Sequence, residues 1–106
     1  MDCIFCKIIN KEIPSKIIYE NDRVCAFYDI NPKAPVHIII VSKEHIESVN
    51  ELDEEKKDVV GQMIVAAKEI ARNNNISEGY KLLFNVGQKG GQIIKHLHLH
   101  LMGGWE

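Results

Sequence analysis

Near the end of the chain, His96, His98 and His100 alternate with Leu97, Leu99 and Leu101 in "HLHLHLMGG". Successive side chains of a strand point to opposite faces, whereas a helix would scatter the three imidazoles around its surface. The alternation therefore predicts a strand with its leucines on a core and its histidines together on the other face. Three imidazoles this close cannot all protonate cheaply, and each needs a partner if buried. An imidazole near its ordinary pKa can be nucleophile, proton carrier, cation or metal ligand. One neutral ring can attack an electrophilic phosphorus while a protonated neighbour holds the phosphate oxygens. The competing uses are the polar outer face of an edge strand and a metal patch. Alternate residues of one strand more readily supply two metal ligands than a full tetrahedral set.

The rest of the chain predicts what that strand packs with. "KIIY" and "VCAFY" read as short strands joined by the turn residues "END", and "VHIIIV" as a third strand buried on both faces. "NPKAP" breaks the ladder between the second and third, because proline cannot donate to it. Residues 53–74 form the one long helix, with Asp53 as its cap, Glu54 and Glu55 in its first turn and Arg72 in its last. Its apolar residues, Val59, Val60, Met63, Ile64, Ala66, Ala67, Ile70 and Ala71, make two adjacent ridges. Such a face fits either a helix covering a sheet and meeting a second subunit, or one packed wholly inside a monomer. "KLLFNV" and "IIKHLHLHLM" are the last strands, joined by "GQKGGQ", and "CIFCKII" is a short helix or an extended arm. The expectation is a single α+β domain over residues 1–106: a mainly antiparallel sheet of about five strands, one long helix and a short N-terminal helix or arm.

The 106 residues carry a net charge of −2, with 45% apolar and 26% charged residues, so neither nucleic-acid nor membrane binding is expected. No apolar run is long enough to span a bilayer, and the first residues do not resemble a secretion signal. Three cysteines, an odd number, fit a reducing cytoplasm in which thiols serve burial, metal or redox chemistry. Cys3 and Cys6 have zinc-like spacing but form only half of a tetrahedral site; Cys25 reads as a buried strand residue.

"HLHLHLMGG" resembles the defining motif of the histidine triad (HIT) superfamily. The likeness extends to "YDINPKAPVHIIIVSKEHI" and "GYKLLFNVGQKGGQ" and covers essentially the whole chain, while the "GG" after the triad is similar to the nucleotide-binding branch. The resemblance implies hydrolysis of the P–N bond of purine nucleoside 5′-phosphoramidates, carrying an AMP or GMP moiety, through a nucleotidyl-histidine intermediate. It makes His98 the nucleophile and His100 the donor to the phosphate oxygens. His37 is the additional histidine; taken alone, it reads as a satisfied core residue. The resemblance also implies a base pocket of Phe5, Ile8, Ile13, Phe27 and Ile30, and makes Asp29 the ribose-binding acid. The same resemblance implies that Asn85, Gly91, Gln92 and Ile93 lie near the phosphate. Many relatives have Ser where this chain has Ile93; either Gln92, His37 or water assists the leaving amine, or turnover is slow, or a leaving group that needs less protonation is preferred.

For members with the N-terminal cysteine pair, the resemblance implies a structural zinc held by Cys3, Cys6, His45 and His96, and no organic cofactor. It also implies a homodimer with a continuous sheet across the two-fold axis. The alternatives within the same pocket are a purine-nucleotide-binding module with little turnover and a dinucleoside polyphosphate hydrolase.

Overall fold

A computed structural model describes residues 3–106. Its elements are α1 (Ile4–Ile9), β1 (Ile17–Glu20), β2 (Val24–Tyr28), β3 (Val36–Ser42), α2 (Lys57–Asn73), β4 (Tyr80–Leu83) and β5 (His98–Gly103), with single 3-10 turns at Val49–Glu51 and Gln88–Gly90. The five strands form one sheet in the order β1-β2-β3-β5-β4, and every neighbouring pair is antiparallel. The arrangement is the α+β fold expected from the sequence, and "CIFCKII" resolves as a short helix rather than an extended arm.

The centre of the sheet is β3, buried along nearly its whole length as its unbroken apolar run requires. Alternation then divides its side chains between two cores. Ile38 and Ile40 point to one face with Leu97, Leu99 and Leu101, and α2 covers them with Val59, Met63, Ala66, Ala67, Ile70 and Ala71. Ile39 and Val41 point to the other face, where Cys3 and Phe5 meet Cys25 and Phe27. The histidine face is therefore not a bare polar surface. Burying Phe5 contributes about 2 kcal/mol, a large share of what holds so short a helix to the sheet.

Three boundaries differ most from the sequence expectation. Regular α2 starts at Lys57, not Asp53. Asp53 does cap the segment, its Oδ1 accepting from the Glu55 and Lys56 amides at 2.9 and 3.0 Å, but a turn intervenes before the helix becomes regular. The last strand starts at His98, and β4 ends at Leu83 instead of running through Val86. The ladder explains both limits, since β5 pairs with β3 only from His98 opposite Val41 and with β4 only from His100 opposite Leu83. Before His98 the backbone turns elsewhere: the Leu97 amide donates to the Ile46 carbonyl at 2.6 Å and the His96 amide to Ile94 at 2.9 Å.

The "GG" ending is a packing requirement. A Cβ on Gly103 would lie 2.8 Å from Ile76 Cδ1, and Gly104 has φ 87° with Pro35 and Val36 against it. Of the two ridges on α2, one is buried; Val60 on the other is half-buried, and Ile64 is 44% exposed. Among the described residues no helix is long and apolar enough to cross a membrane.

Candidate functional site

β5 brings His98 and His100 to the α1 side of the sheet, and β3 adds His37 two residues along the same face from Ile39, which pairs with His100. The rings of His98 and His100 lie 5.0 Å apart, and those of His37 and His100 5.1 Å apart. Asp29 follows β2, with Oδ2 3.4 Å from His37 Nε2 and Oδ1 accepting from the Asn31 amide at 2.7 Å.

The hydrogen bonds set the tautomer of each ring. The Lys33 amide donates to His37 Nδ1 at 3.0 Å, so His37 carries its proton on Nε2. That Nε2–H donates to His100 Nδ1 at 2.9 Å, which leaves His100 with an Nε2–H to offer a ligand. His98 donates from Nδ1 to the His96 carbonyl at 2.6 Å, so its Nε2 keeps the lone pair. His96 donates from Nε2 to the Ser42 carbonyl at 2.7 Å, so its Nδ1 keeps the lone pair. Neighbouring histidines of the triad thus present opposite faces: His98 a nucleophilic nitrogen and His100 a donor.

Electrostatics keep these rings neutral. Burial lowers His98 below the ordinary histidine value, opposed by the hydrogen bond to His96. Burial, then the neighbouring His98 and His37, push His100 down to about 4. Burial also lowers His37, against the pull of Asp29. At neutral pH His100 is therefore an uncharged ring with an N–H to donate. Among the described residues no buried side-chain nitrogen or oxygen lacks a partner.

The apolar residues expected around the base divide into two groups. Phe5 stands 5.5 Å from Phe27 and 5.1 Å from His98, ring centre to ring centre, and Ile8 packs on the same cluster. Ile13 is half-buried and outside both cores, while Ile30 is 89% exposed beyond the end of β2. On the other side, Asn85 Nδ2 donates to the Gly91 carbonyl at 3.3 Å. Gly91 has φ 90°, and a Cβ there would meet Asn85 Nδ2 at 3.4 Å, so glycine suits both its backbone and its neighbour. Gln92 braces the turn: its Oε1 accepts from the Gly87 amide at 2.9 Å and its Nε2 donates to the Glu47 and Ile94 carbonyls at 2.7 and 3.0 Å. With both ends engaged, its side chain is not placed to protonate a leaving amine. Ile93 is 91% exposed and lines a cleft of about 610 Å³ with Gly91 and Gln92; none of the triad histidines lines it.

A second cluster lies beyond His98 along the same segment. Cys3, Cys6, His45 and His96 bring one donor atom each within 4.8 Å of one another. Cys3 Sγ is 3.2 Å and Cys6 Sγ 3.6 Å from His96 Nδ1; His45 Nδ1 is 3.3 Å from Cys6 Sγ and 3.2 Å from His96 Nδ1. A tetrahedral zinc with two nitrogen and two sulfur ligands has edges of about 3.3–3.8 Å. The donor set and spacing fit such an ion, and the Ser42 bond already turns the correct nitrogen of His96 inward. Burial and the adjoining Cys3 push the Cys6 thiol up to about 11, so without a cation it holds its proton.

Two residues essential to this geometry carried no sequence signal. Ser42 acts through its carbonyl and Lys33 through its amide, and main-chain groups leave no trace in residue type.

The family model described as "Scavenger mRNA decapping enzyme C-term binding" matches residues 2–104. The chain is 46% identical over 104 residues to the purine nucleoside phosphoramidase of Escherichia coli K12, covering 97% of this chain and 87% of that protein. It is 42% identical over 102 residues to Protein HitA of Neisseria gonorrhoeae, covering 96% and 95%. A HIT family hydrolase from Clostridium thermocellum superimposes with a TM-score of 0.97 at 47% identity, over 99% of this chain and 92% of that one.

Proposed function

The chain belongs to the histidine triad family, and from that premise we propose that it is a hydrolase of purine nucleoside 5′-phosphoramidates working through a nucleotidyl-His98 intermediate. The observation that carries this reading is the opposed pair of tautomers, His98 with a lone pair on Nε2 and His100 with a proton on Nε2. His98 Nε2 attacks phosphorus, the P–N bond breaks, and the amine leaves with a proton taken from water or an adjoining acid. Water then attacks the phosphorus of the intermediate, the P–N bond to His98 breaks, and AMP or GMP is released. Through both displacements His100 donates to a phosphate oxygen, and His37 holds it in the donating tautomer. Asp29 accepts from the ribose hydroxyls, and Phe5, Ile8 and Phe27 bound the base.

Cys3, Cys6, His45 and His96 are the residues that would hold a zinc ion, which would supply a structural cross-link between α1 and the segment leading into β5. A second copy of the chain is the natural cover for three exposed apolar features: the Ile64 ridge of α2, Leu82 and Leu83 on the edge strand β4, and Trp105 with Lys81 Nζ 5.3 Å from its ring. Light scattering at micromolar concentration that shows only a monomer removes the dimer.

A second reading, a nucleotide-binding module with little turnover, is favoured by one observation: Ile93 offers no proton, and Gln92 is fully engaged. The test is turnover of adenosine 5′-phosphoramidate beside diadenosine tetraphosphate, with intact-mass spectra during reaction. AMP release, a transient mass gain of one nucleotide, and loss of both in His98→Ala are expected. AMP binding with neither turnover nor adduct favours the module; preferred cleavage of the tetraphosphate moves the chain to the polyphosphate hydrolases.

A further inference from the structure

The second cluster and the nucleophile share one short element. α1 has only six residues, too few to persist as a helix alone. Among the described residues, the hydrogen bonds from residues 3–9 that reach beyond the adjoining turn at residues 10–12 are those of two thiols, Cys3 to His96 and Cys6 to His45 and His96. Cys3 is the N-cap of α1, with its sulfur accepting from the Cys6 amide at 3.4 Å. Between the two cysteines stands Phe5, 3% exposed, whose ring lies edge-on to His96 at 5.8 Å and to His98 at 5.1 Å. One side chain thus touches both a candidate metal ligand and the candidate nucleophile, and it also packs against Phe27.

We infer that occupation of the Cys3–Cys6–His45–His96 cluster by a divalent cation tightens nucleotide binding beside His98, with Phe5 as the residue that transmits the effect. Thiol hydrogen bonds are weak, so α1 rests less on them than on the burial of Cys3 and Phe5. Metal–thiolate bonds replace these hydrogen bonds with a cross-link, fix α1 on the sheet, and hold Phe5 where the base must pack. The nucleotide then no longer has to order that wall when it binds. Linkage makes the effect reciprocal: the factor by which the metal tightens the nucleotide is the factor by which the nucleotide tightens the metal. Phe5 is a positioning residue in this account, acting on the pocket and not on the reacting atoms. The inference rests on the nucleotide site proposed above.

The experiment is a thermodynamic cycle on the full chain. AMP affinity is measured by calorimetry for zinc-loaded and chelator-stripped protein, and zinc affinity by chelator competition with and without saturating AMP. The expected result is a loss of about fivefold or more in AMP affinity on stripping, with an equal gain in zinc affinity from AMP. In Phe5→Ala both factors fall to one while zinc still binds; a factor unchanged from wild type overturns the role of Phe5. Phe5→Leu keeps most of the apolar volume and serves if the alanine variant does not fold. Amide exchange of residues 4–9 in the wild type, expected to slow on zinc loading, reads the same coupling without a variant, and unchanged exchange overturns it. AMP that binds loaded and stripped protein equally overturns this inference and leaves the nucleotide site standing. AMP that binds neither form overturns the nucleotide site and this inference with it. A chain that takes up no zinc overturns only the inference.

Discussion

The ring of His98 donates to the main-chain oxygen of His96 at 2.6 Å, so the residue two positions earlier decides which nitrogen of His98 can attack. The ring of His96 meanwhile faces Cys3 and Cys6. One residue therefore serves two sites, its carbonyl on one and its imidazole on the other.

His37 should matter through His100. In His37→Phe, His100 Nδ1 loses its 2.9 Å donor, and nothing then selects the tautomer that offers Nε2–H to phosphate. Turnover is expected to fall by about 10–100-fold, the usual size for loss of an orienting partner. The nucleotidyl adduct on His98 should still form. Steady-state rates and intact mass read the two effects separately, and an unchanged rate removes His37 from the relay.

The pH profile follows from the lowered histidines. His98 attacks only as the neutral ring, and burial holds it below the ordinary value of 6.5. The value of kcat/KM should therefore stay flat as pH falls to 6.5 and decline only below it. Stability should move with the same sign. Histidines that stay neutral when folded take up protons when unfolded, so the chain loses stability as pH falls below 6.5, and His100 contributes until about 4. An acid limb centred above 6.5 would contradict both statements.

Removing a metal should loosen the fold as well as the pocket. With zinc present in hundredfold excess over its dissociation constant, chelation is expected to lower Tm by about 10 °C or more. Cys6→Ser should reproduce the loss without chelator. Calorimetric scans with metal analysis of the same samples test this, and a Tm indifferent to chelator in zinc-containing protein counts against a structural ion.

Two glycines should respond to alanine with opposite signs. Gly103→Ala drives a methyl to 2.8 Å from Ile76 Cδ1 and is expected to destabilise by about 1–3 kcal/mol. Gly61 lies on α2 with nothing within 4 Å of a built Cβ, so Gly61→Ala should stabilise by about 0.5–1 kcal/mol. Urea denaturation measures both.

The parts that were legible in the sequence are those carried by side-chain period. Alternation in "HLHLHL" assigned the leucines to a core, which α2 covers, and the unbroken run in "VHIIIV" marked a strand buried on both faces, which is the central one. The resemblance supplied a cluster that spacing could not, because Cys3, Cys6, His45 and His96 come from three separate segments. What stayed hidden was set by the main chain. Nothing in "IIKHL" announces that its amides pair outside the sheet, so the last strand reads five residues too long. Nor does residue type reveal that His100 stays uncharged, since that follows from packing beside two other imidazoles. Residue type also does not tell a buried apolar side chain from an exposed one: Ile30 reads as part of an apolar pocket and is 89% exposed.

Cys3 and His96 meet across 93 positions of sequence. At about 5–20 residues per second, a growing chain presents both thiols to its surroundings for about 5–20 s before the imidazole that shelters them has been made. Until then the two cysteines are open to any oxidant or stray metal they meet. A synthesis that stalls before the triad leaves them so, and the tether that closes the fold also makes its earliest segment dependent on its latest.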